Sequence, residues 1–204
     1  MASITTQPII LESGDRLTRA EFHRRYCARP DIKKAELVEG VVYVASPVRS
    51  LHGEPHACVI GWLFAYEAKT PGVRLDDSST VILDDDNEVQ PDASLWREEP
   101  GGPRLTEDGY IEGAPQLVVE IAASSASYDL HDKMRAYQRN RVQEYIIWRV
   151  LDEAIDCFRL AGGEYVRVEP DERGIIESVV FPGLRLHVAK MLSGDLAGVL
   201  AELG

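Results

Sequence analysis

The sequence has few cysteines and no long apolar run. Its three cysteines, Cys27, Cys58 and Cys157, stand far apart and form no C-x-x-C pair, which argues against a disulfide framework or a zinc ribbon. We expect them to be buried thiols. Its apolar runs, such as YIIW and LVV, are far shorter than the roughly 20 residues that cross a bilayer. The opening MASITTQPIILESGD lacks the basic segment and long apolar core of a secretory signal. These absences favour a cytoplasmic protein that does not enter a membrane.

Basic residues are also scarce, with 22 lysines and arginines against 34 acidic residues and a formal net charge of −12. Such a chain repels a polyanion at long range, which weighs against simple electrostatic binding of nucleic acid. A metal site remains compatible with this charge, because carboxylates that bind divalent cations make a local cleft attractive to phosphate. A length of 204 residues with 45% apolar residues suits one globular domain.

The first half of the chain predicts helices and strands in alternation. Thr18 and Glu21 have capping-box spacing, so a helix should begin there and continue to about Ala28. KAELVEGVVYVAS alternates around Gly40 and predicts a hairpin. SLHGEPHACVIGWLFAYEAKTPG predicts a long, mostly buried helix. STVIL and EVQPDASLW predict two antiparallel strands on either side of the acidic turn DDDN. The apolar residues that we expect on the inner face of the long helix are Ala57, Ile60, Leu63 and Phe64.

The second half predicts a strand over 117–122, a helix over 129–140 and a strand over 144–150, an order that is normally a right-handed crossover between parallel strands. The remaining residues predict short antiparallel strands, a meander against the core, and a terminal amphipathic helix. No internal repeat or Pro/Ser-rich linker separates these segments. We therefore expect a single α/β domain over residues 1–204, built on a mixed sheet, with about 1–13 as a loosely ordered extension.

One acidic residue interrupts the predicted strand QLVVEIAA. Alternation places Leu117, Val119 and Ile121 on one face, and Glu120 between apolar residues on the other. An ionised carboxylate in that position is costly unless it is paired, bound to a cation, or neutralised by a raised pKa. Structural ion pairs occupy such positions as well. Glu120 alone therefore leaves a buried ion pair and a functional carboxylate as equally good interpretations.

Two further residues strengthen the functional interpretation. Asp92 follows Pro91, and a proline within a strand marks an edge or a bulge. Alone, Asp92 is better explained as a turn cap, but two strand-borne acids that converge resemble a Mg²⁺ site. Lys133 lies in the helix YDLHDKMRAYQRN, about 40° around the helix from Tyr137. Its amine could extend toward the strand of Glu120, or it could be an ordinary solvent-reaching lysine.

The order of PD, VVEIAASS and DLHDKMRAYQRNRVQEYIIW resembles a restriction endonuclease family that is greatly expanded in cyanobacteria, within the PD-(D/E)XK nuclease superfamily. ELVEGVVYVAS, LHG and GAPQLVVEI extend the resemblance over most of the chain. The resemblance implies a restriction-endonuclease-like mixed central sheet flanked by helices. It also implies Mg²⁺-dependent cleavage of DNA, with Mn²⁺ as a possible substitute.

Carried over residue by residue, the resemblance implies that Asp92 and Glu120 are metal ligands. The usual lysine of the superfamily lies two residues after the acid, where this sequence has Ala122. The family is similar to this sequence in placing a lysine on the next helix, and Lys133 occupies that place. Lys133 would then orient the attacking water or stabilise the charge that develops on phosphorus. Glu36, from the first hairpin, is a further candidate ligand.

Other residues are candidates for supporting roles. His52 corresponds to a histidine of the family and is expected to line the cleft, whereas His56 is expected to be structural. Tyr137 either positions the amine of Lys133 or packs in the core. Cutting both strands would be simplest for a homodimer, since symmetry supplies two sites. The competing interpretation is an inactive nuclease-fold module that binds nucleic acid or a protein partner, which Ala122 and the acidic net charge favour.

Overall fold

The structure is a computed structural model that describes residues 10–45, 50–122 and 129–204. Its helices are α1 (Arg19–Cys27), α2 (Ser50–Glu67), α3 (Met134–Arg139), α4 (Val188–Leu192) and α5 (Leu196–Leu200), and a π-helical turn, Asp129–Lys133, leads into α3. Its strands are β1 (Ala35–Val38), β2 (Val41–Val44), β3 (Arg74–Asp77), β4 (Val81–Asp84), β5 (Asn87–Val89), β6 (Ala93–Trp96), β7 (Arg104–Leu105), β8 (Ile111–Glu112), β9 (Leu117–Ala122), β10 (Glu144–Arg149), β11 (Ala154–Ala161), β12 (Glu164–Val168), β13 (Ile175–Glu177) and β14 (Arg185–His187).

The described strands form two larger sheets and a two-stranded ribbon. The first sheet has the order β2-β1-β5-β4-β8-β7, the second has the order β12-β11-β10-β9-β6-β3, and β13 pairs with β14. Each larger sheet is mixed, because β4 runs parallel to β8 in the first and β9 runs parallel to β10 in the second. The predicted α/β fold with mixed sheets and flanking helices is confirmed. Its strands are divided between two sheets and do not form one central sheet.

Local signals place the first helix and hairpin as predicted. Thr18 caps α1, and its hydroxyl accepts a hydrogen bond from the amide of Glu21 at 3.4 Å. Phe22 is fully buried on the inner face. β1 and β2 pair antiparallel around the turn residues Glu39 and Gly40, whose φ angles of 50° and 74° are both positive, as a tight hairpin turn requires. The crossover from β9 to the parallel strand β10 also agrees with the prediction.

The buried face of helix α2 agrees with the predicted one only in part, since Leu63 is fully buried as expected. Phe64 is 61% exposed, whereas Trp62 and Tyr66 are buried. Both aromatic residues are held by polar contacts as well, since Trp62 Nε1 donates to the carbonyl of Arg185 at 2.9 Å and Tyr66 OH to that of Pro182 at 3.0 Å. Apolar residues lie on both sides of this helix, so their spacing alone does not decide which side faces the core. The buried face is set by contacts with a distant part of the chain.

The segment EVQPDASLW is two strands and not one. β5 ends at Val89 in the first sheet, and β6 begins at Ala93 in the second. Pro91 lies between them, where its missing N–H and fixed φ disfavour a continuous ladder. The side chain of Gln90 anchors the crossing, because its amide donates to Thr80 Oγ1 at 2.9 Å. The chain therefore passes from one sheet to the other immediately before Asp92.

The two faces of the second sheet contribute to two different apolar cores. Leu117, Val119 and Ile121 pack in the core that contains α2, as the alternation predicts. The opposite face of β9 packs with Tyr137 and Tyr145. Glu120 lies on this second face. The second sheet therefore lies between Glu120 and the apolar core that contains α2.

The C-terminal part is a meander of β10, β11 and β12, followed by the β13–β14 ribbon and two short helices. At the other end, residues 1–9 of the predicted extension lie outside the described residues, while Leu11 is buried and Ser13 accepts a hydrogen bond from the amide of Val44 at 2.9 Å. Cys157 is buried, but Cys27 is exposed, so the expectation of buried thiols is wrong there. Among the described helices, none has the length and hydropathy of a membrane span.

Candidate active site

Three acids and two lysines from distant parts of the sequence meet where the two larger sheets approach each other. We call them the carboxylate–lysine cluster. Strands β1 and β9 and the segment before β6 supply the acids, and the π-helical turn and the residue before β1 supply the lysines. The members are Lys34, Glu36, Asp92, Glu120 and Lys133.

Glu120 is 2% exposed and accepts two strong hydrogen bonds. Its Oε1 lies 2.8 Å from Lys133 Nζ and 2.7 Å from Tyr137 OH. Lys133 and Tyr137 are four residues apart, so their side chains extend from the same side of the helical segment. Lys133 does reach the strand of Glu120, and it is not a solvent-reaching lysine. Burial raises the pKa of Tyr137 well above its ordinary value, and the charge of Glu120 adds to that effect; the hydroxyl therefore remains a donor.

Lys133 also connects the two sheets. Its Nζ lies 2.9 Å from Glu36 Oε1 in the first sheet and 2.8 Å from Glu120 in the second. The same oxygen of Glu36 accepts a hydrogen bond from the amide of Gln90 at 2.7 Å. Glu36 was predicted as a candidate ligand, and the structure places it in direct contact with the ammonium group of Lys133.

Asp92 lies beside Glu120 through strand pairing. The antiparallel register joins Ala93 to Val119, and Asp92 and Glu120 are the next residues along the two segments from that pair. Asp92 Oδ2 accepts hydrogen bonds from the amide of Ile121 at 2.8 Å and interacts with His52 Nε2 at 3.1 Å. Burial alone would raise the pKa of Asp92. The hydrogen bond to His52 and the positive charges of the two lysines outweigh burial and hold that pKa below its ordinary value.

Lys34 is the member that the sequence interpretation missed. Its Nζ lies 3.1 Å from Asp92 Oδ1, and its side chain is 27% exposed. Burial lowers the pKa of Lys34, but the charge of Glu36, together with those of the other carboxylates, raises it above its ordinary value. Lys34 precedes β1 and is two residues from Glu36, so alternation directs both side chains to one face. This two-residue separation from Glu36 was the feature of the sequence that could have identified Lys34 as a site residue.

The two histidines of α2 have different contacts. His52 contacts the carboxylate of Asp92, and its place in a cleft stays a prediction. Its Nδ1 is buried and has no hydrogen-bond partner within the described part of the chain. His56 Nε2 instead lies 2.9 Å from the backbone carbonyl of Asp92. The same nitrogen lies 3.1 Å from Asp77 Oδ1, so His56 contacts both the crossing segment and an acid of β3.

The donor chemistry of the cluster suits a hard divalent cation. Carboxylate oxygens are the ligands that Mg²⁺ takes, and it needs only one or two of them beside water and phosphate oxygens. Three acids against two lysines leave a formal charge of −1 when His52 is neutral. Over residues 10–45, 50–122 and 129–204, no three acidic, histidine or cysteine side chains surround one point as ligands would, because Glu36 and Glu120 point to Lys133 while Asp92 contacts Lys34.

Comparison with known proteins identifies the family. Residues 19–189 match the model of the Uma2 family, which is described as "Putative restriction endonuclease". The chain belongs to this family. The Uma2 match includes every member of the carboxylate–lysine cluster and confirms the resemblance found in the sequence.

A solved structure has the same fold. It is a "putative nuclease belonging to DUF820" from Anabaena variabilis, similar to this Uma2 chain with a TM-score of 0.66 and 14% sequence identity. The match covers 84% of this chain and 97% of the other. The comparison with curated proteins found no match. At this low identity the likeness establishes the fold alone.

Proposed function

We propose that the protein is a metal-dependent endonuclease that hydrolyses DNA phosphodiester bonds, with Mg²⁺ as its cofactor and Mn²⁺ as a substitute. The observation that carries the proposal is that the carboxylate of Asp92, immediately before β6, accepts a hydrogen bond from the amide of Ile121, the residue after Glu120, while Lys133 contacts Glu120 itself. Acidic groups that can hold a metal ion and a basic group beside them are what phosphodiester hydrolysis needs.

Asp92 and Glu120 would hold the metal ion, with Glu36 as a third acid close to the same lysine. When bound, the ion would lower the pKa of a coordinated water and neutralise charge on the phosphate. The amide of Ile121 keeps the carboxylate of Asp92 turned toward the site. The hydroxyl of Tyr137 and the ammonium group of Lys133 fix the orientation of Glu120 before substrate arrives, and such preorganisation is the main source of electrostatic catalysis.

The second candidate is a nuclease-fold module without turnover. Two observations favour it. The strand position that carries the usual lysine of the superfamily is Ala122, which packs in an apolar core. Lys133 is 2% exposed and contacts both Glu36 and Glu120, so it is committed to the protein's own acids. Such a module would bind nucleic acid or a protein partner without cleaving either.

Cleavage of supercoiled plasmid separates the two candidates. Purified wild type with Mg²⁺ or Mn²⁺ should nick or linearise the plasmid, and Glu120→Ala and Lys133→Ala should both lose that activity. Glu172→Ala, which removes an exposed acid before β13, is the matched control and should cleave like the wild type. Identical cleavage by all four proteins would identify a contaminant and contradict the proposal. Absence of cleavage by the wild type would favour the inactive module.

We also propose that the enzyme acts in the cytoplasm as a homodimer, because a two-fold dimer presents two sites to the two strands of a duplex. Sedimentation equilibrium should then give twice the chain mass of 22.7 kDa. A monomer that makes double-strand breaks with first-order dependence on enzyme concentration would contradict the dimer.

A further inference from the structure

The two lysines of the carboxylate–lysine cluster differ in their access to solvent. Lys133 has a side chain that is 2% exposed, whereas that of Lys34 is 27% exposed. Both carry an ammonium group beside acids that are almost fully buried. Only Lys34 therefore combines contact with the cluster and access from outside the protein.

Lys133 is needed in its present position to neutralise two buried acids. Its Nζ lies within 2.9 Å of one glutamate in each sheet, Glu36 and Glu120. If it turned toward an external phosphate, two buried carboxylates would lose their cation, and a buried charge without a partner is strongly destabilising. Its geometry is that of a residue that holds the acids in place.

Lys34 contacts fewer acids of the cluster than Lys133 does. Its Nζ contacts Asp92 Oδ1 at 3.1 Å, while the other oxygen of Asp92 is held by the amide of Ile121 and by His52. The carboxylate would thus stay in position if Lys34 moved. A lysine stem is flexible, and its ammonium group can exchange one oxygen partner for another within a short distance. A lysine ammonium group carries a positive charge at neutral pH.

We propose that Lys34 is the ammonium group that binds a non-bridging oxygen of the DNA phosphate at this site, and that Lys133 is a positioning residue for Glu36 and Glu120. The inference rests on the proposed nuclease function and assigns its substrate contact. Lys34 then supplies from the first sheet the cation that Ala122 does not supply from β9.

A phosphate contact has a thermodynamic signature that does not depend on cleavage. Each phosphate that a lysine neutralises releases condensed counterions, so it contributes about 0.9 to the slope of log K against log salt concentration. A lysine that only tunes Asp92 would leave this slope unchanged.

The test measures binding of a fluorescent duplex by anisotropy over a series of KCl concentrations, with Ca²⁺ present and the DNA checked for integrity on a gel. Lys34→Gln should reduce the slope by about 0.9 and weaken binding about tenfold at low salt. Lys34→Arg keeps the charge and should keep the slope. Lys69→Gln removes an exposed lysine after the C-terminal end of α2 and should behave like the wild type. Unfolding midpoints of all variants check that each is folded.

The inference is overturned if Lys34→Gln is folded and retains the wild-type slope, even when it cleaves poorly, because Lys34 would then act only through Asp92. It is also overturned if Lys34→Arg loses the slope. A wild type that cleaves plasmid while Lys34→Gln keeps the slope refutes this inference alone. A wild type that neither binds nor cleaves DNA refutes the proposed function together with it.

Discussion

Glu120 lies between apolar neighbours, and its ionised form is held there by Lys133 Nζ and Tyr137 OH at 2.8 Å and 2.7 Å. The cost of removing a carboxylate from water is offset only when such donors replace the water molecules. Hydrogen bonds to charged groups contribute more to stability than bonds between neutral groups. The hydroxyl of Tyr137 should therefore contribute more than an ordinary buried tyrosine hydroxyl.

We predict that Tyr137→Phe lowers the free energy of unfolding by about 1.5–3 kcal/mol, because Glu120 loses a donor to a charged oxygen. The matched control is Tyr165→Phe, whose hydroxyl donates to the neutral carbonyl of Val142 at 2.9 Å and should cost about 0.5–1.5 kcal/mol. Urea unfolding measures both. An equal or larger loss in Tyr165→Phe would contradict the assigned role of Tyr137.

Asp92 should make stability depend on pH. Its pKa is lower in the folded protein than in the unfolded chain, so it contributes stability that is fully present above its unfolded pKa of about 3.9. That contribution is lost as the pH falls from there toward the folded pKa. We predict that Asp92→Asn lowers the free energy of unfolding by about 1.5–3 kcal/mol at pH 7, and that the difference from the wild type shrinks below about pH 4. A difference that stays constant from pH 7 to pH 3 in urea unfolding would contradict it.

The elements that were predicted correctly are those determined by residues close together in the sequence. Helix α1 has its cap at Thr18, and the first hairpin has its turn at Gly40, so a few neighbouring residues determine each. The strand of Glu120 was recognised with its bounds, and the alternation along it placed Glu120 on the correct face. The 40° separation of Lys133 from Tyr137 was enough to predict that Lys133 could extend toward that strand.

The features that were not predicted depend on residues that are distant in the sequence. The buried face of α2 depends on carbonyls near Pro182 and Arg185, which accept from Tyr66 and Trp62. The crossing at Pro91 depends on which sheet each neighbouring strand joins, and that is a property of the tertiary structure. Lys34 entered the site for the same reason, because only the meeting of the two sheets brings it to Asp92.

Replacing a glycine by alanine should have opposite effects on stability in the first hairpin and in α2. Gly40 has a φ of 74°, so Gly40→Ala should cost about 1 kcal/mol through strain. Gly53 lies within α2 with nothing within 4 Å of an added methyl group, so Gly53→Ala should stabilise by about 0.5–1 kcal/mol. Thermal unfolding of both variants tests this. Stability changes of the same sign in the two variants would contradict the backbone conformation at one of the two positions.

For the protein as a whole, we expect divalent cations to raise stability, because acidic residues exceed basic ones. A ligand that binds only the folded state stabilises it by about 2.7 kcal/mol when its concentration is a hundredfold above the dissociation constant. We predict that Mg²⁺ raises the melting temperature of the wild type and that Asp92→Ala abolishes the increase. KCl at matched ionic strength is the control, since it screens the net charge of −12 without occupying a divalent site. An equal rise in both proteins would indicate screening alone.

Two backbone amides, those of Ile121 and Gln90, donate to site carboxylates at 2.8 Å and 2.7 Å, the first to Asp92 and the second to Glu36. An amide proton is deshielded by an anionic acceptor, and its resonance moves when the acceptor gains a proton or a metal ion. The nitrogen–proton correlation spectrum of the protein thus contains one separate probe for each sheet. A titration with Mg²⁺ that moves the Ile121 resonance before that of Gln90 would show that Asp92 takes the ion before Glu36 does.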